Sequence, residues 1–235
     1  MMASRSSSKR WAVSMALLLG LAASGTAQSM EDLRRDYEEY RSELNELALL
    51  RPDAETPLSA KVELPPVFIP DKPDETNSAV VLLDHLGAKG KIQPVYGRLN
   101  LKFPGPMLAC LELAGLSEDE WLGLSEDDVL GLKRVMRLRY LAVVEVTHYK
   151  SGVALAAGKV DPGLVDIRAW LIDRNLNQII CVTKAKASNQ QLGKRMNAIS
   201  RQHDLAGDLV TNARKSVYEV LQGATGGVFR DSESE

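Results

Sequence analysis

The second half of the chain constrains the fold most tightly. Residues 140–149 are an apolar run rich in β-branched side chains, 164–173 alternate apolar with polar, and 178–186 alternate again after the connection Asp173-Arg174-Asn175-Leu176-Asn177. Two period-two runs joined by a short polar link predict a β-hairpin. Further on, Leu205, Leu209, Ala213, Val217 and Leu221 recur every fourth residue, with Ala206, Val210 and Val220 beside them and Gly223 behind. That spacing predicts an amphipathic helix of about five turns. A helix with one apolar face and strands with alternating faces bury each other, so residues 60–222 are expected to form an α/β (α+β) domain, a mixed sheet packed by helices.

The first half is less regular. Met30, Leu33, Tyr37, Tyr40, Leu44 and Leu47 follow a three-four spacing with charged residues between them, and Ser29 precedes Asp32 as a helix cap would. The spacing is that of a coiled-coil seam. Residues 28–50 are therefore expected to form a helical arm. Three heptads make only a marginal isolated dimer, so the arm either self-associates or lies along its own domain. Six of the ten prolines fall within residues 51–73, at Pro52, Pro57, Pro65, Pro66, Pro70 and Pro73. They predict a semi-rigid boundary carrying an edge strand. Residues 74–86, ending before Gly87, are expected to be helical, although Val80 to Leu83 would also suit a strand. Residues 91–103 look extended, and 106–114 a short helix. Residues 223–235 are expected to be a disordered tail.

Arg5, Lys9 and Arg10 precede an apolar stretch, residues 11–23, and small residues lead to a peptidase site between Ala27 and Gln28. Residues 1–27 are thus expected to be a secretory signal peptide. Thirteen helical residues span only about 20 Å, against a hydrocarbon core of about 30 Å. Those 27 residues hold three bases and no acid, so their removal shifts the formal net charge from −2 to −5. No broad basic footprint for nucleic acid remains. No Cys near the cleavage site offers an acyl anchor, and there is no Asn-x-Ser/Thr sequon. The expectation is a periplasmic or secreted bacterial protein without a direct membrane anchor.

The sequence lacks the parts for most chemistries. Gly-Leu-Ser-Glu-Asp occurs at Gly115 and again at Gly123, but Asp119 and Asp127 stand where a nucleophile elbow needs its closing glycine. Capping fits better: Ser117 and Ser125 start helices, and Glu120 and Asp128 return the bond. Glu118, Asp119, Glu120, Glu126, Asp127 and Asp128 lack the alternation and central glycine of a calcium loop. His85, His148 and His203 have no partners at metal-ligand spacing, and Gly87-Ala88-Lys89-Gly90-Lys91 is too short for a phosphate loop. Strand alternation sets His148 on the face opposite Glu145 and Tyr149. No catalytic, cofactor-binding or metal-binding residue is expected.

Cys110 and Cys181 are the only thiols. In an oxidising compartment they either form a disulfide, worth about 4 kcal/mol in the chain-entropy model, or lie buried and unbridged.

Residues 132–146, a helix leading through Arg139-Tyr140 into an apolar strand, and 165–180, where Asp173 ends one strand before a short turn, carry a resemblance. They resemble the α/β domain of the curli-export lipoprotein, of periplasmic activators of penicillin-binding proteins, and of the N-terminal domain of the Tol translocation protein. The resemblance covers roughly residues 60–222 in element order. It implies an envelope protein, although the acylated Cys is absent and Arg174-Asn175 replace the usual Thr-Gly. The expectation is an exported, non-catalytic protein that binds a protein partner or itself, with the six seam residues of the arm as contacts. It would serve as an accessory subunit of a transport or cell-wall machine. The alternative is a secreted hydrolase built on His148, Glu145 or the acidic repeat.

Overall fold

A computed structural model describes residues 29–53, 62, 64–86, 101–155, 160–189 and 198–230. The expected signal peptide with Ala27 and Gln28, and residues 231–235, lie outside them.

The chain is an α/β protein built on a mixed four-stranded sheet, order β2-β3-β6-β7, with β2 Ser78–Leu82, β3 Tyr140–Lys150, β6 Leu164–Asp173 and β7 Gln178–Ser188. The expected hairpin is β6 and β7, which pair antiparallel, as do β3 and β6. Its connection closes with Asn177 at φ 50°, a left-handed turn position that Asn tolerates. Outside the sheet, β1 Val67–Phe68 pairs in parallel with β8 Val228–Phe229, and β4 Val153–Ala154 with β5 Val160–Asp161 antiparallel. The helices are α1 Met30–Leu47, α2 Leu83–Leu86, α3 Pro106–Glu112, α4 Glu118–Leu122, α5 Glu126–Met136 and α6 Ala198–Thr225.

Strand alternation divides the interior into two cores. Val144, Ile167, Leu171 and Cys181 face α6, which contributes Leu209, Ala213, Val217 and Leu221. On the other face, Leu141, Val143, Trp170, Ile172 and Val182 meet α1, α3, α4 and α5. Both Gly-Leu-Ser repeats form complete capping boxes, Ser117 with Glu120 and Ser125 with Asp128. Each carboxylate is held below the usual range by its serine.

Three expectations are corrected here. Residues 78–82 form a strand rather than part of a helix. Val80 and Leu82 enter one core while Ala79 and Val81 enter the other, so a strand buried on both faces carries no alternation to mark it. Second, the chain beyond Gly223 continues α6 to Thr225 and then forms β8, with Phe229 buried beside Tyr218 and Phe68. Third, the helical arm is not free.

The seam of α1 lies inside the monomer. Leu33, Tyr37, Tyr40, Leu44 and Leu47 are at most 4% exposed, and Met30 packs at the edge of the same core. Tyr37 Oη donates to the Cys110 carbonyl at 2.8 Å, and its ring lies 5.1 Å from that of Trp121. Arg174 completes the attachment. Its Nε and Nη2 reach the Glu43 carboxylate at 2.7 Å each, its Nη1 reaches the carbonyls of Met136 and Leu138, and its guanidinium stands 4.7 Å over the Tyr40 ring. The chain's own sheet and helices fill the seam, which removes the five buried side chains Leu33, Tyr37, Tyr40, Leu44 and Leu47 as a partner surface.

Candidate functional site

The passage Arg139-Tyr140 and the turn residue Asp173 meet in space. Asp173, 2% exposed, accepts from Arg139 Nε and Nη2 at 3.0 and 2.8 Å through Oδ2, and from the Asn175 backbone N–H at 3.0 Å through Oδ1. Tyr140 Oη donates to the Leu64 carbonyl at 2.8 Å. These contacts are structural. They fix the hairpin turn to the start of β3.

The two cysteines are free, which corrects the disulfide alternative. Cys110 belongs to the core around α1 and α3, Cys181 to the core under α6, and the sheet stands between them. Burial pushes the Cys110 thiol up to about 12, against the pull of Arg41 and Arg174, and that of Cys181 to about 11. The folded protein is therefore expected to alkylate slowly near neutral pH, while denaturation without reductant exposes two modifiable thiols. Mass spectrometry of the two samples checks this.

His85 is also buried, at 2% exposure, and its Nε2 has no hydrogen-bond partner among the described residues. Burial, reinforced by Lys102 and partly offset by Asp84, holds it below its ordinary 6.5. The unfolded chain then binds a proton that the folded chain refuses, so stability is full above pH 6.5 and is lost as pH falls below it. Denaturant midpoints measured across that range should drop on acidification, and H85Q should flatten the decline.

A different region remains open. On the face opposite α6, the apolar residues near the Asp173 end of β6 give way to charge toward the Leu164 end. In one row Glu145 lies across from Arg168 and Arg168 from Lys184; in the next, His148 lies across from Asp166 and Asp166 from Lys186. A bulge at Thr147 shifts the register between Val146 and His148. It turns His148 onto the same face as Glu145, contrary to simple alternation, and moves Tyr149 to the α6 side. His148 is exposed there. Arg168 Nη2 is held by the Pro52 carbonyl at 2.8 Å, and Lys186 lies 3.3 Å from Asp166. Thr147, Asp166, Arg168, Lys184 and Lys186 line a cavity of about 540 Å³.

The same residues flank the sheet's unpaired edge. β2 is covered on its outer side by β1, with the Asn77 N–H and the Ser78 hydroxyl both bonded to the Val67 carbonyl. β7 is the other end of the sheet, and among the described residues no strand pairs with its outer side. It is 11 residues long, with Lys184 and Lys186 exposed along it. The periodicity of residues 178–186 revealed the strand but not its place in the sheet; the two lysines at alternate positions are the sequence signal of an edge. Among the described residues no group of His, Cys, Asp and Glu could hold a metal ion, and no helix is long and apolar enough to cross a membrane.

The fold is that of a mixed-sheet α/β protein in which, among the described residues, no strand pairs with the outer side of the lysine-bearing β7. No protein-family model matches the chain, and no curated protein matches it. Among solved structures, two crystal forms of the PelC dodecamer from Paraburkholderia phytofirmans are similar in part. A point variant matches at 21% identity over 35% of this chain and 58% of that one, with a TM-score of 0.19. The second form matches at 17% identity over 36% and 58%, with a TM-score of 0.17. The chain spans less than two thirds of the PelC chains it matches, and superposition at these scores does not establish a shared fold.

Proposed function

We propose that this chain is an exported, non-catalytic protein of the bacterial envelope that works by binding another protein chain, as an accessory subunit of a transport or cell-wall machine. The observation that carries the reading is the β7 edge, whose outer side no strand pairs among the described residues. Its backbone N–H and C=O groups offer a template for strand addition, the mode by which many binding domains take an extended segment. The basic n-region and apolar stretch of residues 1–23 support export. The competing hydrolase reading needs His148 in a polar pocket, whereas it lies exposed on the open half of the sheet.

Two measurements test the proposal. Fractionation of cells carrying the tagged full chain should place it in the envelope fraction with a mature terminus at Gln28; an uncleaved cytoplasmic protein would overturn the export half. A photo-crosslinker at Lys184 should trap a discrete protein adduct in cells, while one at exposed Leu176 in the turn should not. Absence of any adduct at Lys184 would overturn the interaction half.

A further inference from the structure

On the α6 side of the sheet, away from the charged rows, the last turns of α6 and the strand behind them enclose a cavity of about 770 Å³. The chain leaves the helix, turns at Gly226 with φ 67°, and returns as β8 beside β1. A Cβ at Gly227 would collide with the Pro66 carbonyl, so this return lies tight against the segment before β1. Tyr218 and Phe229 form the floor, each 4% exposed. The Tyr218 ring is held 5.7 Å from that of Phe68 and 5.8 Å from that of Phe103, both buried, so the floor is aromatic and fixed.

The mouth has a different chemistry. Lys215 and Glu219 line it from α6 and Arg230 from the end of β8, all three exposed. Two cations against one acid give this lining a net positive charge. Lys215 and Glu219 stand 3.9 Å apart and, at 74% and 66% exposure, bind each other only weakly. Arg230 belongs to the opposite wall, where its backbone N–H is bonded to the Phe68 carbonyl at 3.0 Å. A guanidinium there presents a flat fork that suits the paired oxygens of a carboxylate, sulfonate or phosphate. Pockets of about 300–1,000 Å³ with an apolar lining and a few placed polar groups are the form in which small molecules are bound. A buried aromatic floor under a singly positive mouth complements an apolar body that carries one negative charge. A second negative charge would fall against Glu219.

We propose that this cavity binds a small amphipathic anion, with an aromatic or acyl body on Tyr218 and Phe229 and its single anionic group at Arg230. These residues are distinct from the β7 edge, so the ligand site and the protein-binding reading stand or fall separately.

Anilinonaphthalene sulfonate joins an aromatic body to one anion and fluoresces when buried, so it serves as the probe. Titrated into the full chain, it should bind saturably at one site per chain. Gly223→Leu is built to fill the cavity without disturbing the helix: Gly223 lines it, a Cβ there meets no atom within 4 Å, and leucine forms helix better than glycine. It should weaken the probe about tenfold at an unchanged or raised denaturant midpoint. Thr211→Trp, at an exposed position of the same lining, obstructs it independently and should act alike. Arg230→Gln should weaken the sulfonate about fivefold and leave the uncharged phenylnaphthylamine unaffected. Competition then identifies the source of the ligand: displacement by naphthoate supports an aromatic acid, displacement by dodecanoate a fatty acid, and displacement by neither overturns the proposal. No saturable binding, binding indifferent to both obstructing variants, or an Arg230→Gln effect equal on charged and uncharged probes also overturns it.

Discussion

Leu44→Ala lowers folding stability by about 2–5 kcal/mol, read as a fall in the denaturant midpoint at unchanged slope. Leu44 has no solvent exposure and sits mid-seam in α1, against the core that holds Trp170, Leu141 and Met107. Truncation leaves a cavity that helix and sheet close only partly. The measurement also separates two roles for a heptad pattern. An intermolecular seam would lose mass in light scattering while the protomer kept its midpoint; a seam buried in its own monomer loses midpoint with no change of mass. An unchanged midpoint would mean that α1 contributes nothing to the core it touches.

Arg174→Ala is expected to cost about 2–4 kcal/mol. The side chain is 10% exposed and satisfies four acceptors at once: both Glu43 oxygens and the carbonyls of Met136 and Leu138. Removing it strands two carbonyls at the end of α5 and leaves Glu43 unpaired. Glu43 is 37% exposed and regains water, which keeps the loss below that of a fully buried pair. Arg174→Lys should recover only part, because an ammonium cannot bind a carboxylate with two parallel bonds and also bridge to two carbonyls. Equal midpoints for the alanine and lysine variants would refute the fork geometry. Hydrogen exchange adds a spatial check, since protection should fall in residues 30–47 before it falls in β6.

Most of the frame was legible in the sequence, for reasons that individual residues make clear. β6 and β7 announced themselves because each has one face toward α6, and α6 because Leu209, Ala213, Val217 and Leu221 keep one face apolar. The capping boxes were legible because the Ser-x-x-acid bond is local. β2 was not, since Ala79 and Val81 are as buried as Val80 and Leu82 and the run has no period. β8 escaped notice because two residues cannot show a period; only Phe229 closing over Tyr218 and Phe68 gives it a reason to stay. The six seam residues were recognised as apolar and evenly spaced. Spacing tells which face of a helix is covered, never by what, and the cover here comes from residues as distant as Trp170 and Val182. The open edge depends on strand order, which no single strand encodes. The bulge at Thr147, which turns His148 onto the charged face, has no marker such as glycine at that position.

The parallel pairing of β1 with β8 has a consequence in time. Val67 pairs with Val228, so about 160 residues must be synthesised before that contact can close. At ordinary elongation rates this takes on the order of ten to thirty seconds. β2 waits in the same way for β3, because Ser78 pairs with Tyr140. A nascent chain emerging in order would hold Phe68 without its strand partner for that whole interval and the β2 valines without theirs until β3 is made, and closure over so long a loop is slow. Among the described strands the last in sequence is the one that closes on the first, so the Phe68 side of the core stays uncovered until Val228 and Phe229 have been made.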